Sequence, residues 1–83
     1  MKLYIHGVLS AAREQTSRGG RQYYLYRWID SDTGLPVTFV AFAPLYAGAV
    51  DYVERDWVLG VKPGTRGLRL VSVEIEKKGG DKA

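Results

Sequence analysis

The sequence predicts an all-β fold, a small five-stranded barrel in a single domain. Three observations carry this expectation. The chain has only 83 residues, too few to bury two separate cores. Ten glycines and ten aromatic residues (six Tyr, two Trp, two Phe) favour tight turns and strands over long helices. Apolar and polar residues alternate over short runs, and clusters of turn-forming residues close those runs. An apolar fraction of 46% marks the chain as globular, not disordered.

Each strand has its own signal. Lys2 to Leu9 alternates, with Leu3, Ile5 and Leu9 on one face, and reads as a first strand. Ser10 to Gly20 is polar and ends in Ser17-Arg18-Gly19-Gly20, the composition of a flexible loop. Arg21 to Ile29 is the clearest strand: Tyr23, Leu25, Arg27 and Ile29 share one face, and Tyr24, Tyr26 and Trp28 the other. Asp30-Ser31-Asp32-Thr33-Gly34 is a turn, and Leu35 to Phe42 a third strand, so that 21–42 forms a hairpin. Ala43 to Asp56 fits two descriptions. Leu45, Ala49, Tyr52 and Val53 would line a short helix; alternatively a loop leads into a fourth strand starting near Val50, with Val53, Arg55, Trp57, Leu59 and Val61 alternating. The second description is the one adopted. Lys62-Pro63-Gly64-Thr65-Arg66-Gly67 is a turn, and Leu68 to Ile75 the fifth strand, with Val71, Val73 and Ile75 opposite Leu70 and Ser72. The domain covers 1–78, and 79–83 reads as a flexible tail.

Five strands in a chain of this length are too few for an ordinary two-sheet sandwich. They are enough for a closed Greek-key barrel, and the oligonucleotide-binding (OB) barrel is the natural candidate. Its ligand face surrounds the second and third strands, where the aromatic run falls in this sequence.

Composition narrows the chemistry. No cysteine is present, which excludes disulfides, thiolate metal sites and Cys–His nucleophilic pairs. His6 is the only histidine and lies in a strand, where a structural role is the simpler one. No phosphate-binding Gly-Lys-Ser/Thr loop or dinucleotide fingerprint occurs. Gly64-Thr65-Arg66-Gly67 fits the GxxG pattern of KH domains, but it joins strand-like segments where a KH loop joins helices. The expectation is a protein that is not an enzyme and has no cofactor, no metal and no small-molecule substrate. No apolar run approaches the roughly 20 residues of a membrane helix, and no secretory signal is recognisable at the start, so a cytoplasmic protein without membrane contact is expected.

Charge supplies the positive clue. Twelve Lys and Arg against nine Asp and Glu give +3, but the distribution says more than the sum. Arg13, Arg18, Arg21 and Arg27 are opposed only by Glu14; Lys62, Arg66 and Arg69 are opposed by no acid; Asp51, Glu54 and Asp56 are balanced only by Arg55. Single-stranded nucleic acid is held by cations along the phosphates and by flat side chains under the bases. Arg13, Arg18, Arg21, Tyr23 and Tyr26 bring both ingredients into one loop and strand.

The stretch Arg13…Ser17-Arg18-Gly19-Gly20-Arg21-Gln22-Tyr23-Tyr24-Leu25 resembles a motif of the filamentous-phage single-stranded DNA-binding (helix-destabilising) proteins, an arginine, a spacer, then Ser-Arg-x-Gly-Lys-Pro-Tyr-x-Leu. Pro36-Val37 on the returning strand, and a late strand pair from Val58 to Val73 around a glycine-containing tip, resemble the same family. Order and length agree over most of the chain, the motif itself over about the first half. The resemblance implies a homodimeric OB-type protein that coats single-stranded DNA cooperatively during phage replication in the bacterial cytoplasm. It also implies that Arg13, Arg18 and Arg21 contact phosphates and that Tyr23 and Leu25 pack against bases. Where the family carries an aromatic at the last hairpin tip, this chain has Arg66; Arg69 stands in for a final-strand arginine, and Gln22 replaces the proline. The expected nucleic-acid-binding set is thus Arg13, Arg18, Arg21, Tyr23, Leu25, Tyr26, Lys62 and Arg66. Two other functions fit the same residues: an RNA-binding translational repressor, and a protein-interaction barrel anchored by Tyr24, Tyr26 and Trp28.

Overall fold

The alternating runs pair into one closed sheet. A computed structural model describes residues 1–64 and 67–76. Its strands are β1 (Lys2–Thr16), β2 (Gln22–Asp30), β3 (Pro36–Ala41), β4 (Arg55–Gly64) and β5 (Gly67–Ile75). They close in the order β1-β2-β3-β5-β4, with β4 returning to β1. Every pairing is antiparallel except the short parallel contact of β3 with β5. This is a small β-barrel, consistent with the OB-like arrangement, and closure leaves no long unpaired edge. No helix forms among the described residues, so none there is long and apolar enough to cross a membrane.

Three stretches differ from the sequence reading, and one is the expected turn Lys62–Gly67: β4 runs on through Lys62 and Pro63 to Gly64 and β5 begins at Gly67, because Lys62↔Arg69, Pro63↔Leu68 and Gly64↔Gly67 continue the ladder. The first strand does not stop at Leu9 but continues to Thr16, because the polar stretch pairs residue by residue with the aromatic strand, from Ala12↔Tyr26 to Thr16↔Gln22. Backbone pairing extends the strand where apolar alternation has ceased. The segment 42–54 is irregular, and the fourth strand begins at Arg55, not near Val50. Asp51 holds this segment in a turn. Its carboxylate accepts the Val53 N–H at 3.2 Å and both Arg55 guanidinium nitrogens at 2.9 and 2.8 Å, and Tyr52 between them takes a left-handed φ of 57°.

β1 serves both sides of the barrel. Its first half pairs with β4 and its second half with β2, and Gly7 is the corner, paired with both Arg55 and Asp30. A Cβ at Gly7 would collide with the Ile29 carbonyl oxygen, so only glycine permits this approach. The Trp57 indole N–H donates to the Gly7 carbonyl at 3.0 Å and fixes the corner from inside.

The core is aromatic. Trp28 and Trp57 meet edge-on with centroids 5.6 Å apart; Phe39 packs edge-on against Trp28 at 6.1 Å, and Tyr26 stacks on Trp28 at 6.1 Å. Ile5, Leu9, Ala41, Leu59, Val61 and Leu70 fill the remaining space. Each large side chain buried this way contributes about 1.5–3 kcal/mol. The face of β2 carrying Tyr24, Tyr26 and Trp28 therefore points inward. Tyr26 was expected on the nucleic-acid-binding face; instead it is only 3% exposed, and its hydroxyl accepts the Leu45 N–H at 3.0 Å. Tyr24 packs against the same core, so the trio does not form an external anchor.

Two β-bulges set which charges face outward. On β1 the register advances from Leu9↔Trp28 to Ala11↔Arg27, leaving Ser10 as the extra residue. Before it Leu3, Ile5 and Leu9 point inward; after it the odd positions Arg13 and Gln15 pair with the outward-facing Leu25 and Tyr23. Without the extra residue Arg13 would share the inward face of Leu9. Ser10 is tied down at the bulge, accepting the Arg27 Nε–H at 3.0 Å and donating to the Arg27 carbonyl at 3.2 Å. The second bulge lies opposite Gly60 and Val61, which pair with Ser72 and Leu70 and leave Val71 over. Both Val73 and Leu70 consequently face the core, contrary to strict alternation, and Arg69 turns outward.

Candidate nucleic-acid interface

The strand registers link one row of outward residues through all five strands. Arg13 on β1 lies opposite Leu25 on β2, Leu25 opposite Val40 on β3, Val40 beside Arg69 on β5, and Arg69 opposite Lys62 on β4. Cations thus flank an apolar centre. Beside this row Tyr23 is half-buried, with its hydroxyl donating to Gln15 Oε1 at 3.3 Å. The next outward position after Val40 is Phe42, just past the end of β3, in line with Tyr23 by continuation of the Tyr24↔Ala41 register.

Tyr23, Leu25, Val40, Phe42, Leu68 and Arg69 line an open groove of about 530 Å³ together with Ser17, Gly64 and Gly67, whereas Arg13 and Lys62 line neither it nor the hollow beside it. A second hollow of about 350 Å³, between Arg21, Gln22, Phe42 and Arg69, adjoins it through Phe42. The Arg21 and Arg69 guanidiniums stand over the Phe42 ring at 5.6 and 5.5 Å from its centroid.

The β1–β2 turn delivers two of the expected cations. Ser17 organises it: its N–H donates to the Arg21 carbonyl at 2.8 Å, its carbonyl accepts the Gly20 N–H at 3.0 Å, and its hydroxyl accepts the Arg21 N–H at 3.2 Å. Gly20 supplies the φ of 85° that closes the turn. Arg18 is exposed at the tip, and Arg21 leaves the turn toward Phe42.

Of the expected set, Tyr23 and Leu25 line the groove and Arg21 the adjoining hollow, Arg13 and Lys62 share the register row but line neither, Arg18 is on the adjoining turn, and Tyr26 belongs to the core. Arg66 lies outside the described residues. Phe42 was not among the expected site residues. The signal was present, since Phe42 has the same parity as Thr38 and Val40 on the third strand, but an inward and an outward reading of that strand were equal until the core was known. Val40 escaped notice for the same reason.

Electrostatics separates the groove from the rest. Among the described residues Arg13, Arg18, Arg21, Lys62 and Arg69 make no salt bridge, whereas the acids at the other end are engaged. The His6 Nδ1 lies 2.6 Å from Asp56 Oδ1 and its Nε2 3.4 Å from Glu54. The hydrogen bond to Asp56 raises the His6 pKa, with the charge of Glu54 adding to it. The Arg55 guanidinium holds Asp51 down to about 2. Arg13 is six residues along β1 from Gly7, where β1 meets Arg55 and Asp30, a separation of about 20 Å at some 3.3 Å per residue.

Comparison with models of known protein families, with curated proteins and with solved structures finds no match to this chain.

Proposed function

We propose that this chain is a single-stranded DNA-binding protein with little sequence preference, working as a homodimer that coats its ligand cooperatively, as expected from its resemblance to the phage helix-destabilising proteins. The observation that carries the reading is the apolar, partly aromatic groove of Tyr23, Leu25, Val40 and Phe42 bordered by Arg21 and Arg69, two cations that make no salt bridge among the described residues. Such a surface attracts phosphates without reading bases and offers each base a flat or apolar contact. Tyr4, Leu35, Tyr52 and Val53 are exposed outside the groove and offer apolar surface for pairing two copies. Replication of phage DNA is the setting the resemblance suggests.

The test is anisotropy of labelled oligo-dT over a salt series, with sedimentation in parallel for the dimer. For a single strand log K falls by about 0.7 per phosphate contact per log unit of salt. Replacing both Arg21 and Arg69 by Ala is expected to lower the slope by about 1.4 while the fold is kept. Absence of binding at low salt, or a slope indifferent to the double substitution, would defeat the reading. Competition with oligo-U of equal length separates a DNA ligand from an RNA ligand.

A further inference from the structure

Phe42 does not belong to the core. It is 48% exposed, it follows the last residue of β3, and it borders both hollows on the barrel wall. Two guanidiniums from different elements converge on it, Arg21 from the β1–β2 turn and Arg69 from β5. An exposed large aromatic ring approached by two cations that make no salt bridge among the described residues is a surface already organised around the face of the ring. We propose that Phe42 is a base-stacking subsite, in which a nucleobase of a single strand lies on the ring and the Arg21 and Arg69 guanidiniums move from the ring to the flanking phosphates. The inference rests on the nucleic-acid reading above and adds to it the position of one base.

The energetics favour the exchange. An exposed cation–π contact is weaker than stacking of a base on an aromatic ring, and a guanidinium released from the ring regains a partner of opposite charge in the phosphate. Arg21 leads into β2 and Arg69 lies on β5, the two neighbours of β3 in the sheet, so the cations reach the ring from both adjacent strands.

The experiment compares two labelled oligomers of equal length, oligo-dT and an abasic deoxyribose-phosphate chain, on the wild-type protein and on Phe42→Leu and Phe42→Trp. Leucine retains apolar contact and removes the π-face. Phe42→Leu is expected to weaken oligo-dT binding by about tenfold, while leaving abasic binding and the salt slope unchanged. Phe42→Trp is expected to retain oligo-dT affinity and to lose indole fluorescence on binding, since Trp28 and Trp57, the only native tryptophans, are both buried. Wild-type oligo-dT affinity in Phe42→Leu, an equal loss on both oligomers, or an indole in Phe42→Trp that does not respond to oligo-dT would each overturn the subsite. A wild-type protein that binds neither oligomer would instead overturn the nucleic-acid reading, and the subsite with it, so the two failures are told apart by the wild type.

Discussion

The two tryptophans occupy equivalent volumes in the core but differ in one polar atom. The Trp57 indole N–H is bonded to the Gly7 carbonyl at 3.0 Å, while the Trp28 indole N–H, also buried, has no hydrogen-bond partner among the described residues. Losing a made hydrogen bond destabilises more than losing a donor that was desolvated without compensation. Trp57→Phe is therefore expected to destabilise the barrel by about 1–2 kcal/mol more than Trp28→Phe, read from urea midpoints at constant m-value. Equal losses would mean that the corner bond contributes nothing. The same reasoning accounts for the division of labour along β2. Tyr26, Trp28 and Tyr24 face a space that excludes water, and Tyr26 places its hydroxyl on a backbone donor; Tyr23 and Leu25 face the groove.

Among the elements, β1 carries the most. It closes the barrel by pairing with both β4 and β2, and the change of partner at Gly7 leaves no room for a side chain. Gly7→Ala is expected to cost about 1–3 kcal/mol through overpacking against the Ile29 carbonyl, measured by thermal or urea unfolding. A neutral result would show that the β1–β2 corner can open without penalty. Three residues further on, the Ser10 bulge turns the second half of the strand over, and on β5 the bulge at Val71 does the same for Arg69. Two single-residue irregularities thus turn Arg13 and Arg69 outward.

At the scale of the whole molecule, charge is sorted along the barrel. Arg21 and Arg69, which make no salt bridge among the described residues, border the groove and its adjoining hollow, and elsewhere His6 sits between Asp56 and Glu54 and Asp51 pairs with Arg55. His6 links β1 to β4 through Asp56, and the folded state favours its protonated form, raising its pKa above 6.5. The stabilising contribution is fully present below about pH 6.5 and is lost as pH rises through the raised folded-state value. The unfolding midpoint is therefore expected to fall between slightly acidic and mildly alkaline pH, and the fall should vanish in His6→Gln. For Asp51 the sign is opposite. Its pairing with Arg55 contributes above the ordinary carboxylate value of 3.8 and is lost as pH falls toward about 2. A wild-type curve flat across neutrality would remove His6 from the account.

Period-two alternation around Tyr23 to Trp28, and turn clusters at Ser17–Gly20 and Asp30–Gly34, made the barrel and its central hairpin legible in the sequence, because local backbone preference and side-chain parity are properties of adjacent residues. The clustering of arginines near an aromatic strand was legible for the same reason. Parity along a strand does not reveal which face is inside, so Tyr26 could be placed on the wrong one and Phe42 overlooked. That choice was settled by Trp57, Leu59 and Leu70 arriving from the far end of the chain to enclose Trp28. The bulges at Ser10 and Val71 depend likewise on how a partner strand lies against them, and a single extra residue reverses every side chain beyond it. Composition and spacing determined that cations and rings would be close in the chain; only closure of the barrel decided that Arg69, from the last strand, would stand beside Tyr23 and Phe42.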